Sequence, residues 1–225
     1  MTEERPVGEP AEPGDGRRPG RHPLEGRRVR LEPLEPGSHA PGLFACSHGD
    51  PATEVLWTYL SYGPFAGVEE MRAFLEEIAP SEDPLFFAVV DLERGAPAGM
   101  VSFLNIAPAD RRAELGHIWY GPAAQRTSVN TEAVRLMLGE LFDGLGYRRA
   151  EWKCDALNAP SRAAALRLGF TFEGVFRRHM IVKGRNRDTA WYSMLDTEWP
   201  AVRANIDRWL AAEPGTLSLA ALNGA

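Results

Sequence analysis

Apolar and polar positions change their spacing several times along this 225-residue chain, and each change predicts an element. From Met1 to Arg27 there is no aromatic residue and almost no aliphatic one among the Pro, Gly, Arg and Glu. Such a stretch buries too little surface to offset its chain entropy, so 1–27 is expected to be a disordered tail, dispensable for chemistry. At Arg28 the spacing becomes two, with Val29 and Leu31 between charged neighbours, which predicts a half-buried strand. Between Gly37 and Pro80 it turns helical, most clearly where Val68, Met71, Leu75 and Ile78 recur before Pro80 stops the run.

Three strands follow in PLFFAVVDL, AGMVSFLNI and AELGHIWY. The connections ERGAP and APADRR are short and turn-rich, so these strands are antiparallel neighbours. A long helix is predicted from about Val129 to Leu145, with Ala133, Leu136, Met137, Leu141 and Phe142 inward and Gly144 and Gly146 at its end. RRAEWKCDAL alternates again, setting Ala150, Trp152 and Cys154 opposite Glu151, Lys153 and Asp155. Strand, helix, strand is a crossover, so this pair of strands is parallel. A short helix in APSRAAALRLGF, a hairpin from Glu173 to Leu195 turning at KGRN, and a terminal helix with Val202, Ile206, Trp209 and Leu210 on one stripe complete the chain. The order β-α-α-β-β-β-α-β-α-β-β-α describes an α+β domain over 28–196 around one mixed sheet, with 197–225 an amphipathic helix and tail packed on it.

Composition narrows the function. The 25 Lys and Arg against 31 Asp and Glu leave −6, the wrong sign for coating nucleic acid or an anionic membrane, and the balance mildly favours a cationic partner. Two cysteines, Cys46 and Cys154, make neither a disulfide framework nor a four-ligand metal knot, so no metal is expected. No apolar run reaches the ~18 residues of a membrane span, and the acidic, Pro-rich start is not a secretory signal; a cytoplasmic location is the expectation. Trp57, Tyr59, Tyr62 and Phe65 either pack under a loop or line a pocket, and Trp199 and Trp209 on the terminal helix are candidates to meet a partner.

One constellation carries candidate chemistry: the strand, polar turn and helix of GHIWYGPAAQRTSVNTEAVRLML. A helix start offers unpaired N–H groups and the positive end of a dipole, a place for phosphate, and Gln125 and Arg126 stand where they add donors. Two titratable groups precede it. Glu114 and His117 differ by an odd number of positions, so they are expected on opposite faces of the sheet.

AELGHIWYGP, QRTSVNTEA, LNAPSRAAALRLGF and FEGVFRRHMIVKGRNRDTAWYSMLD followed by EWP, in that order, resemble the GNAT (general N-acetyltransferase) superfamily. Within it they are similar to the ribosomal-protein N-terminal acetyltransferase (RimJ/RimL)-like branch, and the resemblance runs from about Pro23 to Trp199. It implies a GNAT fold: a single, mostly antiparallel twisted sheet of about seven strands, flanked by helices and splayed at a central parallel pair. It implies transfer of an acetyl group from acetyl-CoA to a primary amine by direct attack in a ternary complex, with no metal and no covalent enzyme intermediate. The amine's carrier, a protein N-terminus or a small molecule, stays open, as does a monomer or homodimer. The main chain of Ile118, Trp119 and Tyr120 and the loop Gln125, Arg126, Thr127, Ser128, Val129, Asn130 and Thr131 would hold the cofactor. The family loop reads Gln/Arg-x-x-Gly-x-Gly/Ala, and Ser128 and Asn130 depart from both small positions.

By the same resemblance Asn158 contacts the pantetheine arm and Ser161 meets the departing thiolate, Ala165 standing where many relatives have a Tyr acid. Both residues are equally suited to capping a helix. Glu114 and Glu173 compete as the base that deprotonates the amine, against the alternative that Glu114 is a solvated strand-end carboxylate. Arg126, Arg135 and Arg162 are candidates for CoA phosphates. The other class of reading is a non-catalytic acyl-CoA-binding or scaffolding domain of the same fold, in which the altered loop and the absent Tyr reflect lost chemistry.

Overall fold

In the computed structural model, residues 5–14 and 16–225 are described. The elements are β1 (Leu24–Glu25), β2 (Val29–Pro33), α1 (Pro36–Ser47), α2 (Pro51–Glu54), α3 (Val68–Ile78), β3 (Leu85–Asp91), β4 (Ala96–Ala107), β5 (Arg112–Tyr120), α4 (Ser128–Gly139), β6 (Arg149–Asp155), α5 (Ala159–Arg167), β7 (Thr171–Val182), β8 (Arg185–Leu195), α6 (Trp199–Ala211) and α7 (Leu219–Leu222). The strands form one sheet in the order β1-β2-β3-β4-β5-β6-β8-β7. Every neighbouring pair is antiparallel except β5 and β6. This is the mixed α+β sheet expected, with eight strands rather than seven.

The apolar run of β3 is continuous because both of its faces are covered. Phe87 and Val89 enter a layer with Leu115, Ala133, Met137 and Ile206 beneath α4 and α6. Phe86 and Ala88 enter the opposite layer with Leu43, Met71, Leu75 and Trp119 beneath α1 and α3. The expected inward positions of α4 are buried, Leu136 being half-buried, and the helix runs on through a π turn over Glu140–Gly144.

Two expectations are corrected. First, the segment read as a tail is docked over 17–27. Leu24 and Glu25 pair with Leu31 and Arg30. The Tyr147 hydroxyl donates to the Arg17 carbonyl at 2.9 Å. The buried Glu132 carboxylate accepts the amides of Arg27, Arg28 and Val29 at 2.9, 2.8 and 3.1 Å. Composition reports only apolar burial, whereas this segment is held by polar groups that the body supplies to its backbone. Residues 1–4 and 15 of the same expectation lie outside the described residues. Second, Trp199 is buried against Phe142, and its indole donates to Asp143 Oδ1 at 2.9 Å. Trp209 is half-buried, donates to the Leu217 carbonyl at 3.1 Å, and lines a pocket of about 340 Å³ with Arg126, Thr127 and Ser128.

Candidate active site

β5 and β6 stay paired for four positions only, from Arg112↔Arg149 to Leu115↔Trp152. β6 then continues along β8 to Asp155↔Thr189, while β5 follows β4. The divergence comes from a bulge. β4 covers Ser102 to Met100 while β5 covers Gly116 to Trp119, and His117 absorbs the extra residue at φ +50°. A bulge bends its strand, and here it opens a cleft between Gly116–Tyr120 and Lys153–Asp155.

The loop from β5 to α4 closes the head of this cleft. A side chain at Gly121 would meet the Cys46 carbonyl at 2.2 Å, so the end of α1 fixes where the loop starts. Gln125 Nε2 donates to the Tyr120 carbonyl at 2.9 Å. Thr127 Oγ1 donates to Ala124 O at 2.7 Å and accepts from Val129 N at 3.2 Å, capping α4. The left-handed bend falls on the exposed Arg126, at φ +60°, rather than on a glycine. Asn130 Oδ1 is buried without a hydrogen-bond partner beside these first-turn amides.

Of the other candidates, Trp119 and Tyr120 send their rings into opposite core layers, so only their main chain can face a ligand; Ile118 is half-buried. Val129 is buried, and Thr131 Oγ1 accepts from Arg167 at 2.8 Å. Arg135 pairs with Asp207 at 2.9 Å, and Arg162 donates to Tyr192 Oη and the Ala156 carbonyl at 3.1 and 3.2 Å, so both are spent on the fold. Asn158 Oδ1 caps α5 by accepting from Ser161 N at 3.1 Å. Ser161 Oγ accepts from Trp152 Nε1 at 3.1 Å, which leaves the hydroxyl proton to donate, beside a Cys154 thiol whose pKa burial pushes up.

The carboxylates differ sharply. Ala113 and Leu115 point into the α4 layer, so Glu114 between them points to the other face. It is 1% exposed, 2.8 Å from Lys153 Nζ and 2.7 Å from Asn105 Nδ2. Burial raises its pKa above the usual carboxylate range although both neighbours pull it down. Glu173 accepts two bonds from the Arg149 guanidinium, at 2.7 and 2.6 Å, and one from Ser193 Oγ at 2.8 Å. Arg149 holds it below the usual range.

His117 corrects the parity argument. Its ring lies 5.7 Å from Tyr62 and 4.9 Å from Phe86, on the face that carries Glu114, because the bulge inserts one residue between them. Burial, then the Lys153 charge, lowers its pKa to about 4, so it is neutral at pH 7. Sequence reasoning missed Asn105 and Lys153. The alternation had set Lys153 beside Glu151, but the register that puts Glu151 opposite Glu114 carries no sequence signal.

A roof crosses this face. Trp57 is buried and belongs to the core, whereas Tyr59 Oη reaches the Leu157 carbonyl at 3.1 Å. Lys183, at the hairpin turn, donates to the carbonyls of Trp57, Tyr62 and Gly63 at 2.8, 3.3 and 2.8 Å. Among the described residues no group of three or more His, Cys, Asp or Glu is placed to hold a metal, and no helix is long and apolar enough to cross a membrane.

Residues 28–171 match the acetyltransferase (GNAT) domain family. The chain is similar to the crystal structure of a GCN5-related N-acetyltransferase from Brucella melitensis, at 44% identity and TM-score 0.89 over 95% of this chain and 98% of that one. It is also similar to a probable GNAT-family acetyltransferase structure from Chromobacterium violaceum, at 37% identity and TM-score 0.77 over 88% and 100% of the two chains. The putative ribosomal N-acetyltransferase YdaF of Bacillus subtilis is 32% identical over 105 residues, 47% of this chain, and the match spans 57% of its length. With the splayed parallel pair and the capped helix at its head, these matches place the chain in the GNAT family of N-acetyltransferases.

Proposed function

We propose that this chain transfers the acetyl group of acetyl-CoA to a primary amine by direct attack within a ternary complex, with Glu114 as the base. The observation that carries this is a buried carboxylate of raised pKa beside an opened parallel strand pair. An α-amine near ~8 is mostly protonated at pH 7 and must lose a proton before it attacks. A carboxylate at the ordinary value is a poor acceptor, and one raised by burial is a better one.

Acetyl-CoA supplies the thioester carbonyl. The residues around the cleft fit it: freed β5 main chain for an extended arm and the α4 start, with its first-turn amides, for a diphosphate. Glu114 takes the amine's proton, while Lys153 and Asn105 hold its carboxylate in place. The Ser161 hydroxyl, which also meets the Cys154 thiol, is placed to turn its proton to the departing sulfur, and the neutral His117 adds no charge to repel an ammonium. Glu173, tied to Arg149, is a structural residue in this reading.

The test is release of free thiol from acetyl-CoA against a panel of primary amines, with acetyl-CoA binding measured in parallel. Turnover that collapses in Glu114→Gln while binding persists is the expected result. Binding with no thiol release from any amine returns the chain to the non-catalytic reading.

A further inference from the structure

The long hairpin β7–β8 has an electrostatic character opposite to that of the whole chain. Across 171–195 it carries Arg177, Arg178, Lys183, Arg185 and Arg187 against two acids, Glu173, which is paired with Arg149, and Asp188, in a protein of net charge −6. Asp188 Oδ1 accepts the backbone amide of Arg178 at 2.6 Å and makes no ion pair with an arginine among the described residues, so basic charge stays in excess. Among the described residues none of the four arginines makes an ion pair, whereas Arg112, Arg135, Arg149 and Arg203 all do.

The local backbone concentrates this charge. Between Phe176 and Met180 the ladder skips, β8 advancing only from Thr189 to Arg187, and Arg178 adopts φ +49°. Arg177, Arg178 and His179 are therefore pushed out of register. With Phe176, Asn186 and Asp188 they line an open groove of about 890 Å³.

A chain of side-chain contacts on one face of the sheet links this groove to the proposed base. Lys153 Nζ is 2.8 Å from Glu114 and 5.1 Å from the Trp191 ring, which lies 6.0 Å from His179 and 5.1 Å from Phe176. These contacts bound the separation of the Glu114 carboxylate from the His179 ring at roughly the length of four extended residues, about 3.4 Å each.

We infer that the β7–β8 groove binds an anionic group of the acceptor, so that the preferred substrate is a primary amine bearing a carboxylate or phosphate about four residues' length from its nitrogen. This rests on the acetyltransferase reading above and names the acceptor's chemistry. It reverses the expectation drawn from net charge, because binding responds to the field at the site and not to the sum over the chain. Unpaired guanidiniums offer several donors to one carboxylate or phosphate. A polynucleotide fits less well, since the basic surface is one hairpin and the rest of an acidic chain repels a polyanion.

The experiment compares three peptides with free N-termini that differ only at positions three to five, acidic, neutral or basic, together with an aminoalkyl phosphate, on wild type, R177Q/R178Q and R177K/R178K. The acidic peptide is expected to exceed its neutral counterpart by about tenfold in kcat/KM, mainly through KM and weakening with salt. R177Q/R178Q should abolish most of that preference and R177K/R178K restore part of it. The phosphate arm tells a small-molecule source of the anion from a peptide one. Equal rates across the peptides, preference for the basic one, or a preference untouched by R177Q/R178Q overturns the inference. Anisotropy of a dye-labelled, N-acetylated acidic peptide separates this from failure of the acetyltransferase reading. Binding lost in R177Q/R178Q supports the groove even if no amine turns over. No binding, or binding only of a single-stranded RNA oligomer in its place, overturns it.

Discussion

Glu114 at the centre of the sheet and Glu173 near its edge point to the same side, and their surroundings drive their proton affinities in opposite directions. Around Glu114, helices cover the neighbouring strands on both faces and the carboxylate is sealed from water. Around Glu173 the edge strand is exposed and a guanidinium supplies two bonds. Identical chemistry at the side chain becomes a proton acceptor in one place and a fixed counter-ion in the other. The layering of helices over the sheet decides which.

The strongest attempt to break the comparison is substitution of both. Glu114→Gln should lower kcat by about 10²–10⁴, the usual range for a lost general base, while Glu173→Gln changes it by only a few-fold. Steady-state thiol release checks this, and equal losses in the two variants would erase the distinction. The packing contrast is tested by denaturant unfolding. Met137→Ala beneath the central strands should cost about 2–5 kcal/mol, whereas Ile181→Ala on the exposed edge should stay within about 0.5 kcal/mol.

A pH profile sharpens the electrostatic half. The base must be ionised, so kcat/KM should fall with decreasing pH along a limb centred above the ordinary carboxylate value. Lys153→Met removes a charge that favours ionisation and should move that limb to higher pH; a shift downward would contradict the assignment. The smallest effect belongs to Glu173. Its folded pKa is depressed, so its contribution is present above the unfolded value and is lost as pH falls through the folded one. For a partly exposed pair this amounts to about 1 kcal/mol or less, and wild type and Glu173→Gln should converge in stability at low pH.

Much of this was legible in the chain. The unbroken apolar run Leu85–Val90 reads as a strand covered on both sides, and β3 is. The 3.6-residue spacing after Val129 reads as the central helix, and the crossover from Tyr120 to Arg149 reads as a parallel pair. Less legible was anything that depends on partners remote in sequence. His117 fell on the wrong face because alternation assumes an unbroken strand, and the bulge is imposed by pairing with Met100 and Ser102. Segment 17–27 looked structureless because its partners, Glu132 and Tyr147, lie more than a hundred residues away.

Residue order and spacing alone determined the strands from β2 to β8 and the helices between and after them up to α6, the class of fold and the helix start at the head of the cleft, since periodicity and capping are local properties of the chain. Tertiary structure alone decided the state of each titratable group: that Glu114 meets Lys153 and Asn105, that Glu173 meets Arg149, and that His117 is neutral. Proton affinity is set by burial and by charges within a few ångströms, and those neighbours come together only when strands far apart in the chain are laid side by side.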